Sequence, residues 1–434
     1  MKNKSEALTD DQAMSLAIAE ARHGWGWVSP NPAVGCVILS SVGQMISKGY
    51  HEKYGGPHAE INALRGLSQA ELHGARVFVT LEPCAHYGKT PPCAEALAKL
   101  PISEVVYGLQ DPNPQVQGKG LEILKSAGIK VTHFKKYEKD CARICEHFLK
   151  NMNLQRPFVT LKAAVSLDGK LALKNGQSQW ITGEASRLEA HRLRAFHEAV
   201  LVGVNTFLTD DPSLNIRHPD FPQKSTQVIV LDPTGRGLSK LKDSKLYANH
   251  SPSSIYWVVS QSHKESQSLV GQSHDKSQSG LDQSLDELKI NIIYISPLDK
   301  QVDSNLKGKH VADGFPTKSS EANLGANNNL DPGEGKLISA TELNLNELLS
   351  ELWKRSIRAV LVEGGASTLS AFVNQRVADR LSLFIAPMII GDRSGRGWAQ
   401  ELQPIENLSQ SLKTGDFEIS QLGNDLWLST ALRF

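Results

Sequence analysis

A chain of 434 residues is long enough for about two or three domains, and 40% hydrophobic residues suffice for real cores. Lys and Arg total 47 against 46 Asp and Glu, a formal charge of +1, so no global field draws the chain to nucleic acid or to an anionic membrane. No apolar core of signal-peptide length opens the chain and no segment approaches ~18 consecutive apolar residues, while five cysteines, an odd number, fit reduced thiols; a cytoplasmic protein with no membrane partner is expected.

Thr9 or Asp10 caps a first helix through about His23, with Ala13, Leu16, Ala17 and Ala21 at helical spacing. After the Pro30/Pro32 turn, Val34 to Leu39 reads as a buried strand, with Cys36 as core filling. Gly55-Gly56-Pro57 interrupts the chain, so His58-Ala59-Glu60 opens a helix running to about Leu67. Arg76 to Leu81 alternates into a strand that gives way to a loop at Pro83-Cys84. Val105 to Tyr107 is a strand ending in the Asp111-Pro112-Asn113-Pro114 loop, Leu121 to Ala127 a helix, and Val131 lies beyond it. The alternation predicts a three-layer α/β domain over roughly 1–150. Cys141 and Cys145, near His147, have metal-ligand spacing but read as ordinary helix residues.

A second domain over 151–434 begins with a strand from Pro157 to Val165, a helix from Glu184 to His197, and strands at Ala199–Val204 and Gln227–Leu231. Between about 261 and 336 the composition shifts to Ser, Gln, Asn, His and Gly, interrupted by the apolar run Ile290 to Ile295. That run reads as a core strand between two surface insertions. A helix around Leu343 to Trp353 leads to the strand Ala359–Val362, then Glu363-Gly364-Gly365 and a helix from about Ser367. Glycines between a strand and a helix start suit a phosphate, yet no G-x-G-x-x-G follows any strand, which argues against the usual dinucleotide fold.

The chemistry concentrates in His58, Glu60, Cys84 and Cys93. One His and two Cys are ligands for Zn²⁺ that leave a fourth position open for water, whose pKa the metal lowers. Glu60 remains to carry protons, as in the zinc deaminase pattern H-x-E…P-C-x-x-C. Eight residues rather than two separate the cysteines here, Ala85 through Pro92. The alternative is a closed structural zinc site with His51, His73 or His86 as fourth ligand and Glu60 as a solvated carboxylate.

Pro30-Asn31-Pro32-Ala33-Val34-Gly35, Gly49-Tyr50-His51, Pro57-His58-Ala59-Glu60, the run from Thr80 to Cys93 and Asp111 to Pro114 resemble the deaminase half of the bifunctional riboflavin-biosynthesis deaminase–reductase family. Leu161 to Lys170, Ser178 to Thr182, Asp210 to Arg217 and Val362 to Ser367 resemble its reductase half, so nearly the whole chain is covered. The resemblance implies a cytidine-deaminase-like first domain and a second domain similar to dihydrofolate reductase, with NADPH as its cofactor. It implies that Asn31, His51, Lys89, Asp111 and Asn113 contact a phosphorylated pyrimidine. It implies cofactor contacts at Ala164, Trp180, Thr206, Asp210 and Gly365-Ala366-Ser367-Thr368-Leu369-Ser370-Ala371. It implies reductase-substrate contacts at Ser178, Arg194, Leu214, Arg217 and Glu363, with Lys162 and Glu363 as candidates to assist protonation, and a homo-oligomer. Without it, Asn31, Asp111 and Asn113 read equally as turn residues beside proline, Arg194 as an exposed helix charge and Trp180 as core. Two rivals remain: a nucleic-acid or nucleoside deaminase with an accessory domain, which wants the short cysteine spacing and basic aromatic surfaces, and a non-catalytic zinc and nucleotide-binding module.

Overall fold

The computed structural model describes residues 6–113, 117–262, 287–298 and 342–434. Its first sheet has the strands β1 Gly35–Leu39, β2 Met45–Tyr50, β3 Arg76–Leu81, β4 Glu104–Leu109 and β5 Lys130–His133, in the order β2-β1-β3-β4-β5. The strand β1 is antiparallel to both neighbours, and β3, β4 and β5 are parallel. Side-chain alternation divides its buried residues between two cores: Val37, Leu39 and Phe78 face the helix Asp10–His23, while Cys36, Ile38, Val77 and Val79 face the helices Ala59–Leu64, Cys93–Ala98 and Lys119–Ser126. The expected three layers are present. Thr9 caps the first helix in a capping box with Gln12. The second helix ends at Leu64 rather than Leu67, because Arg65 turns extended and Gly66 takes a positive φ of 81°.

The second sheet begins at β6 Phe158–Ser166; the short β7 Lys170–Ala172 that follows lies outside it. Its further strands are β8 Ala199–Gly203, β9 Gln227–Leu231, β10 Ile255–Ser260, β11 Asn291–Ile295, β12 Ala359–Glu363 and β13 Arg380–Ala386. The short β14 Arg396–Gly397 pairs with β7, and β15 Lys413–Thr414, β16 Glu418–Leu422 and β17 Asp425–Arg433 complete the chain. The order is β11-β10-β9-β8-β12-β6-β13-β17-β15, with β16 also on β17. From β11 to β13 every neighbouring pair is parallel, and β17 is antiparallel to β13. The expected core strand at Ile290–Ile295 is β11, with Ile293 and Ile295 in the core; among the described residues it is the sheet's edge strand, parallel to β10. Of the insertion expected at about 261–336, only 261–262 and 287–298 lie among the described residues.

The helix Glu146–Leu154 lies between the two sheets. Cys141 and Cys145 are buried in the first core, and the Cys145 thiol donates to the Ala33 carbonyl at 3.4 Å. Among the described residues they join no metal-binding group. No described helix is long and apolar enough to cross a membrane.

Candidate active site

The carboxyl end of β3 is where the first site forms. His58 is the N-cap of the helix Ala59–Leu64 but makes no capping bond with its side chain, so the imidazole is free for another partner. Cys84 lies in the loop after β3, and Cys93 is the first residue of the helix Cys93–Ala98. The Nδ1 of His58 is 3.5 Å from the Cys84 sulfur and 3.4 Å from that of Cys93. Bond lengths near 2.0 and 2.3 Å in a tetrahedral zinc site put nitrogen and sulfur about 3.5 Å apart, so the donor set fits the metal. Thr90 Oγ1, from the eight-residue insert, stands 3.4 Å from His58 Nε2, where an outer partner orients a ligating imidazole. Hydrogen bonds from Cys93 and His58 stabilise the Cys84 thiolate and lower its pKa to about 4. The Cys93 amide adds a further bond to that sulfur at 3.3 Å.

Glu60 is 3% exposed, and burial followed by the Cys84 charge pushes its carboxyl up to about 7. It lines a cavity of about 430 Å³ with His58, Cys84, Asn31, His51, Lys89, Asp111 and Asn113. Eight motif positions spread along the chain thus line one cavity. His51 donates from Nδ1 to the Pro57 carbonyl at 2.9 Å, which leaves Nε2 to accept from the Asn31 amide at 3.2 Å. Burial lowers its pKa, so His51 enters the site neutral. Lys89 is exposed, with Nζ 4.0 Å from the Tyr54 ring centre. Sequence reasoning missed Thr90, Tyr54, Glu82 and Phe148, all of which line the same cavity. Thr90 and Glu82 belong to the quoted Thr80–Cys93 run; Phe148 carries no local signal.

The second site lies at the carboxyl ends of β6, β8 and β12. Lys162 on β6 pairs in register with Glu363 on β12, and Arg194 grips Glu363 through Nε at 2.6 Å and a second nitrogen at 3.0 Å. Burial opposes the Glu363 charge, but Arg194 and then Lys162 hold its pKa down to about 2. Burial lowers the pKa of Lys162, with Glu363 opposing. Arg194 is therefore neither an exposed helix charge nor a free phosphate clamp: it is paired with Glu363 and donates to the Asn215 carbonyl at 2.9 Å.

Beyond Glu363 the chain starts the helix Ala366–Asn374 at Gly365. A Cβ on Gly364 would lie 2.8 Å from Thr368 Cβ, and one on Gly203 would lie 2.5 Å from Thr368 Oγ1, so both glycines allow the helix to seat on the strand ends. A Cβ on Gly365 meets nothing within 4 Å. Open space before unpaired first-turn amides, at a crevice where β8 and β12 meet and the chain order reverses, fits a cofactor phosphate. Within the expected contact segment, Leu369 and Ala371 are core residues and Ser370 is fully buried. Gly365 is exposed and Ser367 half-buried, the latter bonded to Glu401 at 2.7 Å. Leu214 is likewise 3% exposed and packed in the core, with a φ of 49°. Trp180 is not core but 68% exposed, beneath Arg187 at 4.7 Å. Arg217 lines an open cleft of about 930 Å³ beside Ile181, His191 and Met388. Ala164 is half-buried on β6, Ser178 half-buried in the loop after β7, and Thr206 and Asp210 lie on the helix Val204–Asp210 after β8.

Comparison with known proteins accounts for both sites. The cytidine and deoxycytidylate deaminase zinc-binding region matches residues 8–109, and the RibD C-terminal domain matches residues 157–428. The riboflavin biosynthesis protein RibD of Haemophilus influenzae is 32% identical, over 96% of this chain and 95% of that protein. That of Aquifex aeolicus is 34% identical, over 96% and 97%. The structure of Acinetobacter baumannii RibD superposes with a TM-score of 0.70 at 31% identity, covering 97% of this chain and 98% of that one. Zinc belongs to the first domain and NADPH to the second by these matches and by the donor set on the page. The chain therefore belongs to the RibD family, the bifunctional deaminase–reductases of riboflavin biosynthesis.

Proposed function

We propose that residues 1–150 hydrolytically deaminate 2,5-diamino-6-ribosylamino-4(3H)-pyrimidinone 5′-phosphate and that residues 151–434 reduce the ribosyl group of the product to ribityl. The observation that carries this reading is the single cavity holding Glu60, the His58/Cys84/Cys93 group and the polar residues Asn31, His51, Asp111 and Asn113. A zinc ion held by His58, Cys84 and Cys93 supplies Lewis acidity that makes water nucleophilic at neutral pH. Glu60 would carry one proton from the attacking water to the ring nitrogen and then the second, from the added hydroxyl, to the departing amine, so that water and amine become carbonyl and ammonia. Asn31 and neutral His51 supply fixed polar atoms for the pyrimidine edge, Asp111 and Asn113 face the sugar, and Lys89 at the rim suits the phosphate.

NADPH bound in the second half would supply the hydride equivalent for this reduction. Ala164, Trp180, Thr206, Asp210 and the amides from Gly365 through Thr368 hold the cofactor. Ser178, Arg217, the Leu214 backbone and the Arg194–Glu363 pair hold the substrate in register with it. Lys162 and Glu363, paired in register on β6 and β12, are the groups at hand to assist protonation. The near-neutral charge and free cysteines support a cytoplasmic enzyme of small molecules with no nucleic-acid partner, and the family resemblance supports a homo-oligomer.

The test is a two-stage assay on the diaminopyrimidine, following ammonia release and then NADPH absorbance, with Glu60→Ala alongside. Loss of ammonia release in the variant, with NADPH still oxidised when deaminated intermediate is supplied, is the expected result. Ammonia release undiminished by the substitution sinks the role given to Glu60.

A further inference from the structure

Phe148 lines the deaminase cavity from a helix that follows the last strand of the deaminase sheet. It is half-buried yet belongs to none of the apolar cores of the described residues. The other aromatic side chain besides histidine on this cavity, Tyr54, has its ring face covered by Lys89. Phe148 thus supplies an aromatic surface against a planar heterocycle beside Glu60.

The helix Glu146–Leu154 divides its residues by face, as helical spacing requires. Cys145 and Leu149, one turn apart, pack into the deaminase core. His147, Lys150 and Asn151 turn to the other domain, and the Glu146 carboxylate lies between Arg143 of its own domain and Arg380 of the other. Arg380 of β13 holds the Glu146 carboxylate at 2.7 and 3.1 Å, and Lys150 lies 3.4 Å from Asp379. Asn151 donates to the Arg358 carbonyl at 3.0 Å, and the His147 ring packs 4.4 Å from that of Phe158. One short helix therefore places a side chain in one active site while its opposite face is bound to the sheet of the other.

We propose that Phe148 is the ring-facing wall of the deaminase site, stacking on the pyrimidine, and that Glu146, through Arg380, is a positioning residue by which the reductase domain holds it there. The proposal rests on the deaminase reading above. A stack of this kind acts on substrate binding and leaves proton transfer at Glu60 alone.

The experiment uses the full chain carrying Phe148→Ala, Phe148→Leu, Phe148→Tyr and Glu146→Gln. Ammonia release is measured across substrate concentrations, zinc is quantified by metal analysis, and NADPH oxidation on supplied deaminated intermediate serves as an internal control. In Phe148→Ala and Phe148→Leu, KM for ammonia release is expected to rise about tenfold with kcat within about twofold, within the range of one base–aromatic stack. Phe148→Tyr restores KM, while zinc content and the reductase rate stay at wild-type values. Unchanged KM in both Ala and Leu variants overturns the proposal, as does loss of zinc together with activity in Phe148→Leu, the mark of a merely structural residue. Glu146→Gln raises the same KM with Phe148 in place; an unchanged KM there overturns the positioning role. Wild-type protein that releases no ammonia from the diaminopyrimidine overturns the deaminase reading itself, whatever the variants do.

Discussion

The two active sites handle charge in opposite ways. In the deaminase cavity burial raises the pKa of Glu60, Lys89 is exposed, and burial lowers the pKa of His51. At the reductase strand ends the charged groups satisfy one another, with Arg194 bidentate on Glu363 and Lys162 beside the pair. A site built around a metal leaves its carboxylate and thiolates for the cation and the substrate. A site that works on a bound cofactor must hold its charges in place beforehand, because nothing else there neutralises them. Removing a charged residue should therefore cost activity in the first site and stability in the second.

The largest effect tests the metal side of that contrast. Cys93→Ala is expected to abolish zinc binding and lower ammonia release by about a thousandfold or more, with NADPH oxidation of supplied intermediate retained. Retained zinc in metal analysis of this variant breaks the ligand assignment. On the reductase side, Arg194→Ala leaves buried Glu363 with Lys162 as its remaining cationic neighbour, and loss of such a pair typically costs up to about 3–5 kcal/mol. Urea denaturation followed by circular dichroism checks it, and an unchanged midpoint means that Glu363 relaxes to solvent.

A third effect comes from His197, which is 3% exposed and bonded to Thr160 Oγ1 at 2.8 Å and the Leu193 carbonyl at 2.7 Å. Burial lowers its pKa to about 4 against an unfolded value of 6.5. Between those values the unfolded chain binds a proton that the folded chain refuses, so stability falls as pH drops from 6.5 toward 4, by on the order of 3 kcal/mol at most. Melting curves across that window should flatten in His197→Gln relative to wild type. Equal slopes in the two proteins would remove His197 as the cause. The smallest effect sharpens the comparison: Lys89→Met, at an exposed rim position, should raise the deaminase KM by about tenfold and leave the urea midpoint unchanged. A shifted midpoint there would mean that the deaminase rim, too, is structurally committed.

The amino-acid sequence by itself determined the elements and the metal chemistry. Capping at Thr9, the alternation in β3, and the glycines around His58 and at Gly364-Gly365 act over a few residues, so they are legible without a fold. The donor types of His58, Cys84 and Cys93 point to zinc before any distance is known, and the left-over Glu60 points to hydrolysis over a closed structural site. Even so, the edge position of β11 and the early end of the second helix depended on packing partners and on the φ of Gly66.

Tertiary structure decided what each distant residue meets. Arg194 and Glu363 lie 169 positions apart, and only the parallel register of β12 and the approach of the helix Glu184–Phe196 make them an ion pair. Leu369 and Ala371 occupy the helix expected to hold the cofactor, yet a helix seated on the strand ends must turn part of its face into the core. Phe148 carries no motif, since its role arises where a helix bound to one sheet reaches the cavity of the other. Hydrogen-bonding pattern and side-chain type are local properties of a chain, whereas burial and pairing belong to the assembled core, and those long-range contacts shaped both sites.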